Sequence, residues 1–525
     1  MAGASPAVSG GARPAAGSGP GEEGTFSGAK LVLTAFVLSM ANFIVVLDMT
    51  IANVSVPHIS GGLAVSTESG TWVITSYAVA EAICVPLTGW LAGRFGTVRV
   101  FLASIAGFGL FSALCGISSS LAMLIAFRLG QGFCGGPLMP LSQTLLLRIF
   151  PKESHPKAMA MWAMTVVVAP IAGPILGGYI SDNWDWRWIF LINVPIVVGV
   201  LVSLIVLLRG IVTPLRKLPI DVVGLLLLVI WVGAFQTMLD LGHDRDWFHN
   251  SLICTLAVIA AIFFVIFVIW ELTDDHPIVD LAVFRHRGFS ASTFALALAF
   301  ATYFSAVVIV PQWLQAGMGY TATWAGIAMA PAGVLALIAS PIVPRIMQKV
   351  DPRAIVFAGV SWLAFCAYLR TYWSTDSTLW EIAFPQLIQG VGMACMIVPL
   401  TSIGLASVDP EETASAAGIT NFGRTLAGAI GTSVVTTLWA DQQRLDGADL
   451  VASMNNVGGT ISQLQHQGMP FDVARGALNQ ILSLQAQAQA TVHVSYYSTA
   501  ALLLAAFAIW LAPRPKRGMK AASGH

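Results

Sequence analysis

Four charged side chains stand inside otherwise apolar stretches: Asp48, Glu81, Arg128 and Arg424. A charge within a membrane faces a cavity or a partner, and such residues mark ion and proton paths. Apolar surroundings favour the neutral form of a carboxyl, and a nearby arginine favours the charged form. Asp48 and Arg128 are expected at a comparable depth, so Asp48 reads as an orienting partner. Glu81, in mid-span, suits a group that loads and unloads a proton. The division of that work between Asp48 and Glu81 is left open. Asn53, Gln131, Asn421 and Arg424 are the polar groups expected to line a substrate cavity. For Arg424, an anionic-ligand contact and inter-helix hydrogen bonding are equally good readings. Asp240 and Glu271 lie near span ends and are expected to be solvated, and His58 is expected at the surface.

The elements that must hold these groups follow from composition. The chain has 525 residues, 56% hydrophobic and 10% charged, where soluble chains are about one-quarter charged. That excludes a soluble globule. The net charge is zero, and no basic cluster suggests nucleic acid. The six cysteines fall inside apolar segments without metal-ligand spacing, so they read as small buried hydrophobes. No hydrolase triad, phosphate loop or zinc spacing stands out. Neither an enzyme nor a cofactor is expected.

A crossing helix needs about 20 apolar residues, and the sequence offers fourteen such segments. Among them are a tenth at 321–344, a thirteenth at 412–439 and a fourteenth at 495–512. Lys and Arg concentrate on the cytoplasmic side. With the N-terminus inside, Arg94, Arg99, Arg148, Lys152, Lys157, Arg285, Arg287, Arg345 and Arg353 all fall there. Arg13, Arg216, Lys217, Arg514, Lys516, Arg517 and Lys520 follow the same rule. The outer loops hold Arg187, Arg245, Arg370, Arg444 and Arg475.

The reading is an all-α polytopic membrane protein with 14 transmembrane helices as 6+2+6 and both termini cytoplasmic. Its expected parts are a disordered tail at 1–29, a six-helix bundle at 30–210, two additional helices at 211–272, a second bundle at 273–512 and a tail at 513–525. A polar loop at 440–494 belongs to the second bundle and lies outside, either as a functional segment or as a disordered spacer.

A weak repeat supports two related bundles. Arg128-Leu129-Gly130-Gln131-Gly132, followed by Pro140-Leu141, matches Gln386-Leu387-Ile388-Gln389-Gly390, followed by Pro399-Leu400. Transporters are often built from such repeats with the substrate between them. The match is chemically lopsided, with Arg128 opposite neutral Gln386, so proton chemistry is expected in the first bundle.

Segments from the first span to the thirteenth then carry a resemblance. They include LDMTIANVSVP, PLTGWLAGRFG, RLGQGFCGGPLMPLSQ, APIAGPILGGYISD, WRWIFLINVP and NFGRTLAGAIGTS. The chain resembles the major facilitator superfamily, and within it the fourteen-helix drug:proton antiporters of the EmrB type. The resemblance implies a proton-coupled antiporter that exports bulky hydrophobic or amphipathic compounds by alternating access, in a bacterial inner membrane. It implies proton coupling at Arg128, and conformational roles for Gly89, Arg94, Gly96 and Arg99 in the loop after the second span. The family usually has an acid where Gly93 stands, so that charge relay is reduced here. Pro170, Gly173, Pro174, Gly177 and Gly178 match the exporter pattern of the fifth span. Kinking by proline and close approach at glycine suit a rocking interface. The acid at Glu81 has no counterpart in the family pattern. Exporters of this type work with a periplasmic adaptor, EmrA-like, and an outer-membrane channel. An uptake or metabolite carrier on the same fold, or a non-transporting receptor or scaffold, are the alternatives.

Overall fold

The computed structural model describes residues 28–511, apart from 210, 212–214, 216–218, 220, 243, 244, 276, 455, 456, 467 and 468. Residues 1–27 and 512–525 lie outside the described residues. So do the topology residues Arg13, Arg216, Lys217, Arg514, Lys516, Arg517 and Lys520, and with them almost all of both expected tails. The described secondary structure is helical and contains no strand. This follows from the solvent, because a single helix satisfies its own backbone in lipid.

Helices α1 to α6 comprise Gly28–Gly62, Trp72–Cys84 continuing as Thr88–Phe95, Thr97–Gly116, Leu121–Ile149, His155–Asn183 and Trp188–Leu207. Helices α7 and α8 are Val222–Gly242 and Ser251–Thr273. Helix α9 is Arg287–Ala316, and α10 is a broken run of Ala322–Met329, Pro331–Ala339 and Val343–Met347. Helices α11 to α14 are Pro352–Leu369, Leu379–Ala406, Thr413–Ser453 and Phe471–Ala508.

Among the described residues, eleven helices are long and apolar enough to cross a membrane, or twelve if α2 is one bent span. Two expected spans fall outside that set for visible reasons. Pro331 and Pro341 interrupt α10, because proline removes a backbone donor and clashes with the preceding turn. Helix α13 is continuous but dilutes its apolar residues with Ser, Thr, Asn, Gln and Arg. Proline also explains the 58° bend of α2, which falls at Pro86.

Helix α1 packs along α5, α2 and α3 along α4, and α6 on α1 and α3. Helix α9 packs along α13, α11 along α12, and α14 on α9, α11 and α13. Helices α7 and α8 pair with each other, and α7 also touches α2 and α13. These two groups meet at both ends. At the end carrying Gly96, a methyl group at Gly89 would lie 2.9 Å from Cα of Ser415, and one at Gly418 would lie 3.1 Å from the Val85 carbonyl oxygen. At the opposite end, a methyl group at Gly326 would lie 3.2 Å from the backbone nitrogen of Ile175. Gly96 itself has φ +90°, a conformation that admits glycine readily, and it turns α2 into α3.

The stretch 440–494 corrects the sequence reading. Its described residues are mostly helical rather than disordered. Helix α13 continues through it to Ser453, a short helix covers Val457–His466, and α14 starts at Phe471. The polar residues are good helix formers, and small ones close the contact: Ala486, Ala488 and Ala490 are buried. Trp439 Nε1 donates to Thr491 Oγ1 at 3.0 Å, and His493 lies 3.3 Å from buried Asp446. The last segment, expected at 495–512, is the final third of α14.

Candidate functional site

In an apolar interior, a charge needs a partner and its remaining donors and acceptors need hydrogen bonds. The N-terminal group meets that demand at one node. Asp48 on α1 and Arg128 on α4 are each 1% exposed, and Arg128 Nη1 donates to Asp48 Oδ2 at 2.6 Å. The same nitrogen donates to Gln131 Oε1 at 2.9 Å, and Arg128 Nε donates to the Val73 carbonyl oxygen at 3.0 Å. The other carboxylate oxygen accepts from Gln131 Nε2 at 3.1 Å and from Asn193 Nδ2 at 2.7 Å. The guanidinium lies 4.2 Å from the Tyr77 ring centroid, a cation–π geometry. Helices α1, α2, α4 and α6 are tied together through this one carboxylate and one guanidinium.

The pairing of Asp48 with Arg128 is the one expected from the sequence. Asn193 is not among the residues singled out there. Its signal was available: it is the amide in the quoted run WRWIFLINVP, inside an apolar span.

Glu81 is held differently. It lies on α2, one turn beyond Tyr77, and is 2% exposed, but its Oε2 has no hydrogen-bond partner. Arg424 on α13, in the other group, and Arg128 on α4 are both within electrostatic range of it. Arg424 is also buried. Its Nη2 donates to Met139 Sδ at 3.0 Å, its guanidinium lies between Trp162 and Phe300 at 5.2 and 5.3 Å, and its Nη1 is unpartnered. Beside it Asn421 Nδ2 donates to Gln143 Oε1 at 2.7 Å, joining α13 to α4. So Asn421 makes an inter-group hydrogen bond, and Gln143 is a further residue the sequence reading omitted. Asn53 is exposed on α1 and stands apart from the buried node.

The remaining sequence-derived residues separate by location. Arg94 lies 5.8 Å from the Trp90 ring, and Arg99 is exposed. Gly173 and Gly177 face α1. A methyl group at Gly177 would lie 3.0 Å from the Ile51 carbonyl oxygen and 3.2 Å from its Cα, and one at Gly173 would overlap Thr50. Pro170 and Pro174 lie within the same helix, and Gly178 is buried. Ser181 Oγ donates to Ser55 Oγ at 2.8 Å, and Asn42 donates to Thr165, so α1 and α5 are stitched along their length. We expect Gly177→Val to force these helices apart, lowering thermal stability by about 1–3 kcal/mol. A thermal shift of the purified protein measures this.

Three expectations are corrected. Glu271 is not solvated: it is 3% exposed, and its carboxylate accepts from the Val279 backbone N–H at 3.1 Å. Asp240 is half-buried and accepts from Gln236 at 3.1 Å. Arg370, counted with the outer loops, turns inward and is 4% exposed. His58 is at the surface as expected, 3.4 Å from Asp182.

A cavity of about 1400 Å³ opens at the Gly96 end. Both groups line it, and its charged lining residues include Arg148, Lys152, Glu271, Asp274, Glu411 and Glu412.

Residues 38–432 match the family model described as Major Facilitator Superfamily. The chain is 46% identical over 493 residues to the multidrug export protein EmrB of Escherichia coli (strain K12), covering 93% of this chain and 96% of that protein. It is 41% identical over 494 residues to the fatty acid resistance protein FarB of Neisseria gonorrhoeae, covering 93% and 97%. Among solved structures, it superposes on a bacterial homologue of the human drug peptide transporters PepT1 and PepT2 with a TM-score of 0.59 at 12% identity, covering 92% and 98%. The proton:xylose symporter XylE gives 0.57 at 14% identity, covering 93% and 97%. These two structures establish the fold alone, and the motif resemblance agrees with the sequence matches.

Proposed function

The chain belongs to the Major Facilitator Superfamily, and from that premise we propose that it is a proton-driven exporter of bulky hydrophobic or amphipathic compounds. It is a multi-pass membrane protein, and we place it in a bacterial inner membrane with fourteen spans as 6+2+6. In this reading α10 and α13 are the two spans beyond the apolar set, both termini are cytoplasmic, and the Gly96 end faces the cytoplasm. The bundles are 30–210 and 273–512, with 211–272 between them. Support comes from the likeness to EmrB across nearly the full length of both chains.

The observation that carries the coupling assignment is the contrast between the two acids. Asp48 has both oxygens occupied by Arg128, Gln131 and Asn193. Glu81 has an oxygen free of partners and lies within electrostatic range of Arg424 in the other group. We therefore assign the proton to Glu81, and to Asp48 and Arg128 the work of orienting α1, α2, α4 and α6. When Glu81 is charged it attracts Arg424 across the seam, and when it is neutral that attraction is lost. Protonation thus changes the relative stability of the two orientations, as coupling requires. Compounds enter from the cavity at the Gly96 end, between charged walls. Gly89, Gly96, Arg94 and Arg99 turn and anchor the adjoining loop, while Gly173 and Gly177 with Pro170 and Pro174 give α5 its close, bent contact with α1.

The resemblance implies an adaptor and an outer-membrane channel. We assign the adaptor contact to the helical hairpin at 440–494, which leaves Leu445, Val451, Val473 and Ile481 exposed.

In oriented vesicles, Glu81→Gln is expected to reduce compound-driven proton flux to background while the protein remains folded. Full proton coupling in that variant would overturn the assignment. Cytoplasm-directed uptake as the main activity of the wild type would overturn export itself.

A further inference from the structure

The repeated motif of α4 and α12 leads to a second polar node, built from different residues than the first. Gln386 and Gln389 stand where Arg128 and Gln131 stand, and here too a guanidinium meets them. It comes from Arg370, just past the end of α11. Arg370 Nη2 donates to Gln386 Oε1 at 3.2 Å and also to Gln389 Oε1. All three residues are buried, at 4%, 0% and 3% exposure.

What is missing is the anion. In the first bundle the arginine meets Asp48 of α1. In the second, α9 packs against α12, and α9 contains no Asp or Glu anywhere in Arg287–Ala316. Among the described residues no carboxylate pairs with Arg370. Two donors are left over: Arg370 Nε and Gln386 Nε2 are buried without an acceptor. A buried charge lacking its counter-ion is strongly unfavourable, and unused buried donors add to that. A cavity of about 400 Å³ opens next to this node, lined by Trp373, Gln485, Gln489 and His493. Trp373 forms the shared wall. Its ring centroid lies 5.9 Å from the Arg370 guanidinium, it stacks parallel on Trp313 at 5.5 Å, and its Nε1 donates to the Glu381 carbonyl oxygen at 3.1 Å.

We propose that Arg370, Gln386 and Gln389 form an anion site in the second bundle that takes the carboxylate of an amphipathic compound, with the apolar body lying in the adjoining cavity against Trp373. The unpartnered Arg370 Nε and Gln386 Nε2 are the two donors that a carboxylate's oxygens would accept from. That such a compound is then exported rests on the function proposed above, but binding does not.

The test uses the full chain in nanodiscs, with dodecanoate and its uncharged methyl ester as probes. The wild type is expected to prefer dodecanoate by roughly 10- to 100-fold, the range of hydrogen bonds to a charged group. In Arg370→Gln the preference should collapse to within about threefold. Gln386→Glu guards against a simple folding defect. It places a carboxylate beside Arg370, so it should raise the melting temperature while removing the preference. No preference in the wild type, or a preference surviving in Gln386→Glu, would overturn the site. Binding of dodecanoate with the preference intact, but no transport of any compound in vesicles, leaves the site standing and sinks the export reading.

Discussion

Replacing Arg128 by methionine is expected to destabilise the protein by about 3–5 kcal/mol, the range seen when one partner of a buried ion pair is removed. The reason lies in what remains. Asp48 would keep Gln131 and Asn193 but lose its counter-ion in a site that is 1% exposed. The Val73 carbonyl oxygen would lose its donor from the side chain. Removing both charges together is a different experiment. In Asp48→Asn with Arg128→Met, no uncompensated charge is left, so thermal stability should recover most of the loss. Transport should not recover, because the geometry that fixes α2 against α4 is gone. A double-mutant cycle by thermal shift, read alongside drug resistance of cells, checks both halves. Equal destabilisation of the single and double variants would show that the pair is not a unit.

The second large effect is expected at Gly390→Val. A side chain at Gly390 would press into the backbone of α10, with Cβ 2.6 Å from the Ala336 nitrogen and 3.2 Å from the Leu335 carbonyl carbon. Backbone cannot step aside as a side-chain tip can. Overpacking of this kind costs about 1–3 kcal/mol, sometimes more, and here it must also separate α12 from α10. Gly132, at the matched place in α4, has the same relation to α2: its Cβ would lie 3.1 Å from the Tyr77 carbonyl carbon. If the two motifs are copies of one design, Gly132→Val and Gly390→Val should lower the amount of folded protein alike. Size-exclusion profiles of a fluorescent fusion measure that. A strong defect in one and none in the other would break the equivalence.

The legibility of the site in the sequence depended on charge. Asp48 and Arg128 were readable together because a charge in lipid demands a partner, and counting spans put both at one depth. Glu81 was readable as an in-span acid, though its neighbour across the seam was not. The amides Asn193, Gln143, Gln386 and Gln389 carry much of the hydrogen bonding, yet a neutral amide in an apolar run does not announce whether it binds or merely packs. Arg370 was misplaced because a long side chain at a span end can turn to water or inward, and a count of basic residues by loop does not distinguish the two. Glu271 fails for the same reason. For 440–494, polar composition leaves a functional segment and a disordered spacer equally open, because it does not reveal a helix packed through small residues. In fact Ala and Gln at 485–490 make a helix whose small residues pack closely without a large apolar core.

That hairpin has a mechanical consequence. Neither α13 nor α14 contains a proline, and each runs unbroken into the hairpin; in the fourteen-span reading proposed above, each does so directly from the membrane. From Trp439 to Ser453, α13 extends about 20 Å at 1.5 Å per residue. A helix with no break has no pivot of its own. Any tilt of the second bundle is therefore carried out along a stiff arm and appears at the tip as a sideways sweep in proportion to its length. On the proposed alternating-access reading, these two helices, which pack on α9, act as a pointer that reports the internal orientation of the protein beyond the bilayer.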